Sequence, residues 1–436
     1  MSGRRIINAA GLVLAGDLIS KISLLILDGI IVSLLPSDKI AAYLLFSFFV
    51  RFAPYSGFGA ISYVTKVLPQ THKAKAQQQV IKKASALVFL LSAIYFGSAL
   101  ILFFFSASRQ IGGNIELSVA MLAIGLILIM SLQQTISRGL FAFNIYVISQ
   151  LVQSIVAMGL GLLLIPSFGL VGIYFAFLAS YVVAIIAWCI FSRQRLSLDF
   201  TRCFMPSNLI FPIRAGGWFF LLTVMLFFMQ SLDRYATLQL GDEQAKTIFA
   251  VGFLFYQLGI IAINSIGKVA GPMILSGRGS LDETQGSDVL CLLCIVAYSF
   301  VLLIFLSFLA FAPDWIPDRF RSAHDVSIYY LTSGFVTALG LSLIPQLIRN
   351  NAEKLLLLLV LAINIAVVVG VYFFSYLFRT PQDFAFLSLL TSATFSLVAV
   401  LAPVRLGVIR LPRRSVVFRI GCVLLLVSMP AVVTIS

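Results

Sequence analysis

Charge is scarce in this chain. Only 11% of its 436 residues are Asp, Glu, Lys or Arg, against 61% hydrophobic, and a water-soluble domain of this size would need far more charged surface. Histidine is scarcer still, with His72 and His324 alone and both in loops. No nucleophile, base and orienting-group set is legible, nor any Walker-type glycine loop, so an enzyme is not expected. The cysteines are Cys189, Cys203, Cys291, Cys294 and Cys422. Cys291 and Cys294 have a CxxC spacing but lie in an apolar run without a second pair or a nearby His, so they read as packing residues and no metal or other cofactor is implied. Acids are fewer than bases, 16 against 30, for a formal charge of +14. In a soluble protein that excess would point to nucleic acid; in a membrane protein it reports orientation, and no nucleic-acid partner is expected.

What the chain does have is apolar runs of about 20 residues or more, each long enough to cross a hydrocarbon core about 30 Å thick. The first begins almost at Met1 with no small-residue cleavage site after it, and is expected to remain as a helix. Six spans are predicted near Ile6–Leu34, Ile40–Val64, Ala84–Phe105, Leu117–Ser137, Ile145–Ile165 and Leu170–Phe191. The polar, basic stretch "SRQRLSLDFTRCFMPSN" at Ser192–Asn208 then reads as a linker. Six more spans follow near Leu209–Leu240, Thr247–Leu275, Val289–Ala312, Val326–Ile348, Leu355–Phe378 and Phe384–Val404. All are expected to be helices, because an open sheet cannot satisfy its backbone in lipid.

The predicted organisation is therefore an N-terminal six-helix bundle over 1–191, a cytoplasmic linker over 192–208 and a C-terminal six-helix bundle over 209–404. A basic segment over 405–436 carries a further apolar run, Val416–Ser436, which either crosses as a thirteenth helix or lies along the interface. With the N-terminus cytoplasmic, the outside segments hold only Lys39, Arg109, Lys246, Arg319, Arg321 and Arg379, and most other Lys and Arg fall inside.

Two six-span halves invite a search for an internal repeat. "LDGIIVSLLPSDKIAAY" at Leu27–Tyr43 ends the first span, and "LDRYATLQLGDEQAKTIF" at Leu232–Phe249 ends the seventh. One gap aligns Asp28 with Asp233 and brings Asp38 close to Asp242. Through "SLDRYATLQLGDEQAKTIFAVGFLF", "KVAGPMI", "PSFGLVGIYFAFLASYVVAIIAW" and "SGFGAISYVTKVLPQ", the chain from about Ile6 to Val404 resembles the multidrug/oligosaccharidyl-lipid/polysaccharide (MOP) exporter superfamily, in particular its O-antigen and polysaccharide flippases. The resemblance implies an all-α polytopic membrane protein with two six-helix bundles around a central cavity that opens alternately to either side. It implies an undecaprenyl-pyrophosphate-linked oligosaccharide as cargo, the bacterial inner membrane as location, and membrane lipid, polysaccharide polymerase and assembly proteins as partners. A drug/cation antiporter of the same superfamily remains the alternative; it would carry a more acidic, aromatic cavity. A membrane polymerase or ligase would need a large outer loop, and the longest, "PDWIPDRFRSAHD", is too short to form a domain.

Ionisable residues inside spans are costly and mark candidate pathways. Asp17 and Lys21 stand at i,i+4 on the first helix and can pair there. Arg51 interrupts "LLFSFFVRFAPYSGFG" with no acid in its own helix, so it needs a partner from another helix, water or an anion. Lys268 lies near the cytoplasmic end of the eighth span and can snorkel to the interface. In related lipid-linked sugar flippases basic residues on the first, second and eighth helices surround the cavity, which makes Lys21, Arg51 and Lys268 the expected substrate-binding residues. Asp17, Asp28, Asp233 and Arg234 are the expected coupling or gating residues, with an interhelical pair or interface anchor as the competing reading for Asp233 and Arg234. Tyr43, Tyr63 and Tyr256 are candidates to stack on sugar rings, though in so aromatic a chain packing roles are commoner.

Overall fold

The computed structural model describes residues 3–35, 37–109, 113–192, 206–233, 236–237, 243–277, 324–378, 380–408 and 411–435, with scattered positions between 292 and 303. Every element among the described residues is helical, and seven segments are long and apolar enough to cross a membrane. The chain has an all-α polytopic membrane fold that divides into two compact units, Met1–Phe220 and Leu221–Ser436.

The first unit contains α1 (Gly3–Leu34), α2 (Ser37–Phe52), a 3-10 turn (Ala53–Gly57), α3 (Ala60–Val67), α4 (Ala74–Arg109), α5 (Gly113–Gly139), α6 (Phe143–Ser192) and the start of α7 (Pro206–Met229). The predicted second span is not one helix. Pro54 brings no N–H, Phe58 (φ 44°) and Gly59 (φ 92°) are left-handed, and the chain turns before α3 begins. At this break the backbone of α7 comes so close that a Cβ on Gly216 would collide with the Gly59 carbonyl and lie 2.8 Å from the Tyr63 nitrogen. Phe211 packs edge-on against Tyr63 at 5.6 Å, beneath the Lys83 ammonium at 4.0 Å. These contacts explain why the division between units falls within α7, C-terminal to the predicted linker; residues 193–205 of that linker lie outside the described residues.

α6 carries both the fifth and sixth predicted spans. Pro166 and Gly169 (φ 53°, ψ −128°) reverse the chain, so that Ser149 Oγ donates to the Ala184 carbonyl at 3.4 Å and the Gly172 backbone lies against that of Leu164. Elsewhere small residues let helices approach, as expected where lipid gives no hydrophobic drive to association. Ser92 donates to the Gly125 carbonyl at 3.0 Å and Ser118 to the Ala99 carbonyl at 2.8 Å, joining α4 to α5. Around them Leu27, Ile31, Phe46, Leu128 and Trp188 form part of one buried apolar core.

The second unit continues α7 and adds α8 (Glu243–Ser276), α9 (His324–Leu341), α10 (Ile344–Arg349), α11 (Glu353–Phe373), α12 (Pro381–Arg405) and α13 (Arg413–Ile435). Most of the ninth predicted span, Val289–Ala312, and the outer loop after it lie outside the described residues. The tenth span breaks at Ser342–Leu343, where Pro345 opens α10. α12 starts earlier than its apolar run, because Thr380 and Asp383 form a capping box. α13 docks on α9 and α12 through Cys422, Val423 and Leu426, which belong to the core of this unit.

The two units share a turn. In the first, Ala142 N–H donates to the Ser137 carbonyl at 2.8 Å and Phe141 has φ 59°; in the second, Ala352 N–H donates to the Leu347 carbonyl at 2.9 Å and Asn351 has φ 56°. Both are Schellman closures with a non-glycine residue in the left-handed position, an uncommon choice. They occupy the fourth-to-fifth and tenth-to-eleventh connections, the equivalent places in a two-half repeat.

Candidate functional site

At about 100° per residue, Asp17, Lys21 and Asp28 fall within about 40° of one another on a single face of α1. This face turns inward: Ser20 and Asp17 are fully buried and α1 packs against α6. The Asp17 carboxylate accepts the Tyr146 hydroxyl at 2.8 Å, and the Arg138 guanidinium lies 5.7 Å from the centre of the Tyr146 ring. Ser20 Oγ donates to the Gln150 carbonyl at 3.3 Å beside it. Asp17 therefore serves α6 as well as its own helix, and its coupling to Lys21 is one interaction among several.

Lower on the same face, half-buried Asp28 accepts a hydrogen bond from the Tyr43 hydroxyl of α2. This contact ties α1 to α2. Of the charges acting on Lys21, Arg51 of α2 comes first, ahead of Asp17 and Asp28. Arg51 in turn is coupled to Asp28 and Tyr43. Arg51 also ends α2, where the helix dipole favours a cation.

The second unit is built differently. Lys268, on α8, is half-buried and belongs to the second unit, whereas Lys21 and Arg51 belong to the first. Asp233 is buried just beyond a turn at Gln230–Ser231, with its backbone carbonyl accepting from Thr237 at 2.8 Å; Asp28 sits inside a helix. Both aligned aspartates are helical, Asp233 immediately after the turn and Asp28 within α1. Arg234 and Asp242 lie outside the described residues. The interior between α9 and α12 holds hydroxyls: Ser333 with Ser388 at 2.9 Å and Ser392 at 2.7 Å, and Thr337 donating to Ser392 at 2.8 Å. Tyr298 meets Thr332 at 3.0 Å. Arg419 on α13 is 2% exposed and donates to Ser342 Oγ at 3.1 Å, in the break of the tenth span.

Three of these residues escaped sequence reasoning in part. Tyr43, considered for sugar stacking, is a carboxylate partner; Tyr146 had no signal apart from its place among Gln and Ser in an apolar run. Arg419 stands in the last apolar run, Val416–Ser436, as its only charged residue. Among the described residues no group of three or more His, Cys, Asp or Glu could hold a metal ion. Cys189 is exposed and Cys422 buried, while Cys203, Cys291 and Cys294 lie outside the described residues.

No protein-family model and no curated protein sequence matches the chain. Solved structures do. An outward-facing multidrug resistance MATE family transporter of the MOP superfamily superposes with a TM-score of 0.65 at 18% identity, covering 92% of this chain and 95% of that one. A MATE transporter in complex with MaD5 gives 0.65 at 19%, with the same coverage. A MOP superfamily transporter from Pyrococcus furiosus, whose reversed binding-pocket polarity is said to suggest a different function, gives 0.65 at 18%, again over 92% and 95%. The likeness is one of fold and extends over most of the chain.

Proposed function

We propose that the chain is a flippase of the bacterial inner membrane, moving an undecaprenyl-pyrophosphate-linked oligosaccharide by alternating access with its N-terminus cytoplasmic. The observation that supports this reading is the cluster of ionisable residues in the first unit, where Arg51 of α2 and Asp17 and Asp28 of α1 all act on Lys21, beside the Tyr43–Asp28 hydrogen bond. Like charges in a medium of reduced dielectric repel, and a multivalent anion converts that repulsion into attraction. Arg51 suits a pyrophosphate because its guanidinium donates in a bidentate fork and stays charged. Lys268 would assist from α8.

Complementation of a flippase-deficient strain, with protein abundance quantified, tests the reading. Arg51→Ala should reduce export to background and Arg51→Lys should retain part of it, with smaller losses for Lys21→Ala and Lys268→Ala. Normal export by Arg51→Ala would remove the anion-binding role. The second reading, a drug/cation antiporter, is supported by Asp17 and Asp28, whose carboxylates could serve cations, and by the multidrug transporters among the structural neighbours. Protein reconstituted in liposomes that effluxes a cationic dye but leaves a pyrophosphate-linked saccharide untouched would favour it.

A further inference from the structure

A cation at a helix end is ordinary in a membrane protein, but Arg138 is held in a way that orientation alone does not require. It is the penultimate residue of the span Ile115–Gly139 and lies in the last turn of α5, where the helix dipole favours it. Residues 140–142 alone connect α5 to α6, closed by the Ala142 N–H on the Ser137 carbonyl at 2.8 Å, so Arg138 stands at one end of the helices it serves. A snorkelling side chain in that place would extend into water. Arg138 instead is half-buried and faces the Tyr146 ring, 5.7 Å from its centre, while Nη2 donates to Thr135 Oγ1 at 3.0 Å. The scaffold beneath it is closed: Tyr146 is 1% exposed, and the Trp188 indole N–H donates to Ser137 Oγ at 2.7 Å.

Held in this way, the guanidinium has donors to spare. A guanidinium carries five N–H groups; Thr135 is the one hydrogen-bond partner of Arg138 among the described residues, and Nε is buried and unmet. No acid is at hand in the helices on either side of the turn. The only acid in α5 and α6 is Glu116, in the opposite terminal turn of α5 and about 33 Å away along its axis. A pinned, half-buried cation with unused donors suits an oxyanion, because little freedom is left to lose on binding. We propose that Arg138 is a phosphate subsite at the α5–α6 turn, where the phosphate of a lipid-linked cargo or of a membrane lipid docks from the cytoplasmic leaflet. The proposal names where loading begins and rests on the reading of a phosphate-bearing cargo. The phosphates of both ligands stand at the boundary between hydrocarbon and water, the level at which a span ends. Tyr146 links the subsite to α1, since its hydroxyl donates to Asp17, four residues from Lys21.

The purified chain, in phosphatidylcholine nanodiscs, is titrated with radiolabelled inorganic pyrophosphate, and thermal unfolding checks that each variant is folded. Arg51→Ala is titrated alongside, so that the cation proposed to meet cargo elsewhere does not mask this one. Wild type and Arg51→Ala should both bind. Arg138→Gln, which keeps a donor for Thr135 and loses the charge, should bind about tenfold or more weakly in either background. Arg138→Lys should regain part of the affinity, because the point charge returns without the fork. Unchanged affinity in Arg138→Gln, or no binding by wild type, overturns the subsite. If wild type binds and Arg51→Ala does not, the anionic-cargo reading stands and this inference falls. If Arg51→Ala binds and exports normally while Arg138→Gln fails to bind, the subsite stands and the role proposed for Arg51 falls. Repeating the titration in phosphatidylglycerol nanodiscs separates the sources of phosphate. Affinity that drops there for wild type but not for Arg138→Gln places a lipid headgroup in the subsite, whereas equal affinity in both lipids leaves it to cargo.

Discussion

The two units bury polarity in opposite ways. The first places Asp17, Lys21, Asp28 and Arg51 on an inward hairpin, each within reach of an opposite charge and the acids each bonded by a tyrosine. The second fills the seam between α9 and α12 with Ser333, Thr337, Ser388 and Ser392, hydroxyls that satisfy one another without net charge. Hydroxyls are inexpensive to bury once paired and allow close helix packing; ions are expensive and are kept where they have work to do. On the reading proposed above, the charged network of the first unit meets cargo with Lys268 assisting, and the hydroxyl seam gives the second unit cohesion beside its own buried ions, Asp233, Glu353 and Arg419.

If that division holds, the largest effect belongs to Asp17. Asp17→Ala should destabilise the protein by about 3 kcal/mol or more, since it removes the acid beside Lys21 and the acceptor of Tyr146; thermal unfolding in detergent would register it. A smaller loss, about 1.5–3 kcal/mol, is expected for Tyr146→Phe in the same assay. Stability unchanged by both would dissolve the first unit's network as an energetic feature. In the second unit, Arg419→Ala should loosen α13 from the Ser342 break. A protein retaining Cys422 as its sole cysteine should then be labelled faster by a thiol reagent, because that thiol is buried on the docked face; unchanged labelling would show that apolar contacts alone hold the helix. The smallest effect should be Ser392→Ala, about 0.6 kcal/mol by the scale of measured membrane hydrogen bonds. A loss comparable with that of Asp17→Ala would erase the contrast between the units.

Much of the architecture was legible. Ile145–Ile165 and Leu170–Phe191 emerged as separate spans because Pro166 and Gly169 punctuate the run, and the reversal between them follows. The break inside the second span was carried by the same kind of residues, Pro54, Gly57 and Gly59, but the apolar run on either side disguised it. The division within α7 could not be read, because polarity marks linkers whereas compactness depends on which helix Phe211 and Gly216 touch. At the site, the ionisable residues were conspicuous against an apolar background, and the Asp17–Lys21 spacing spoke for itself. Their grouping was not: Lys268 shares its charge with Lys21 and Arg51 yet sits in the other unit.

By itself the sequence determined that the chain lives in lipid, that its elements are helices and which few residues bear charge there, because hydrophobic length and backbone satisfaction are properties of local segments. The tertiary structure decided which charges meet. Lys21 and Arg51 are 30 positions apart and lie on different helices, which the Tyr43–Asp28 hydrogen bond ties together. Electrostatic energy depends on distance in space, and distance along the chain does not contain it.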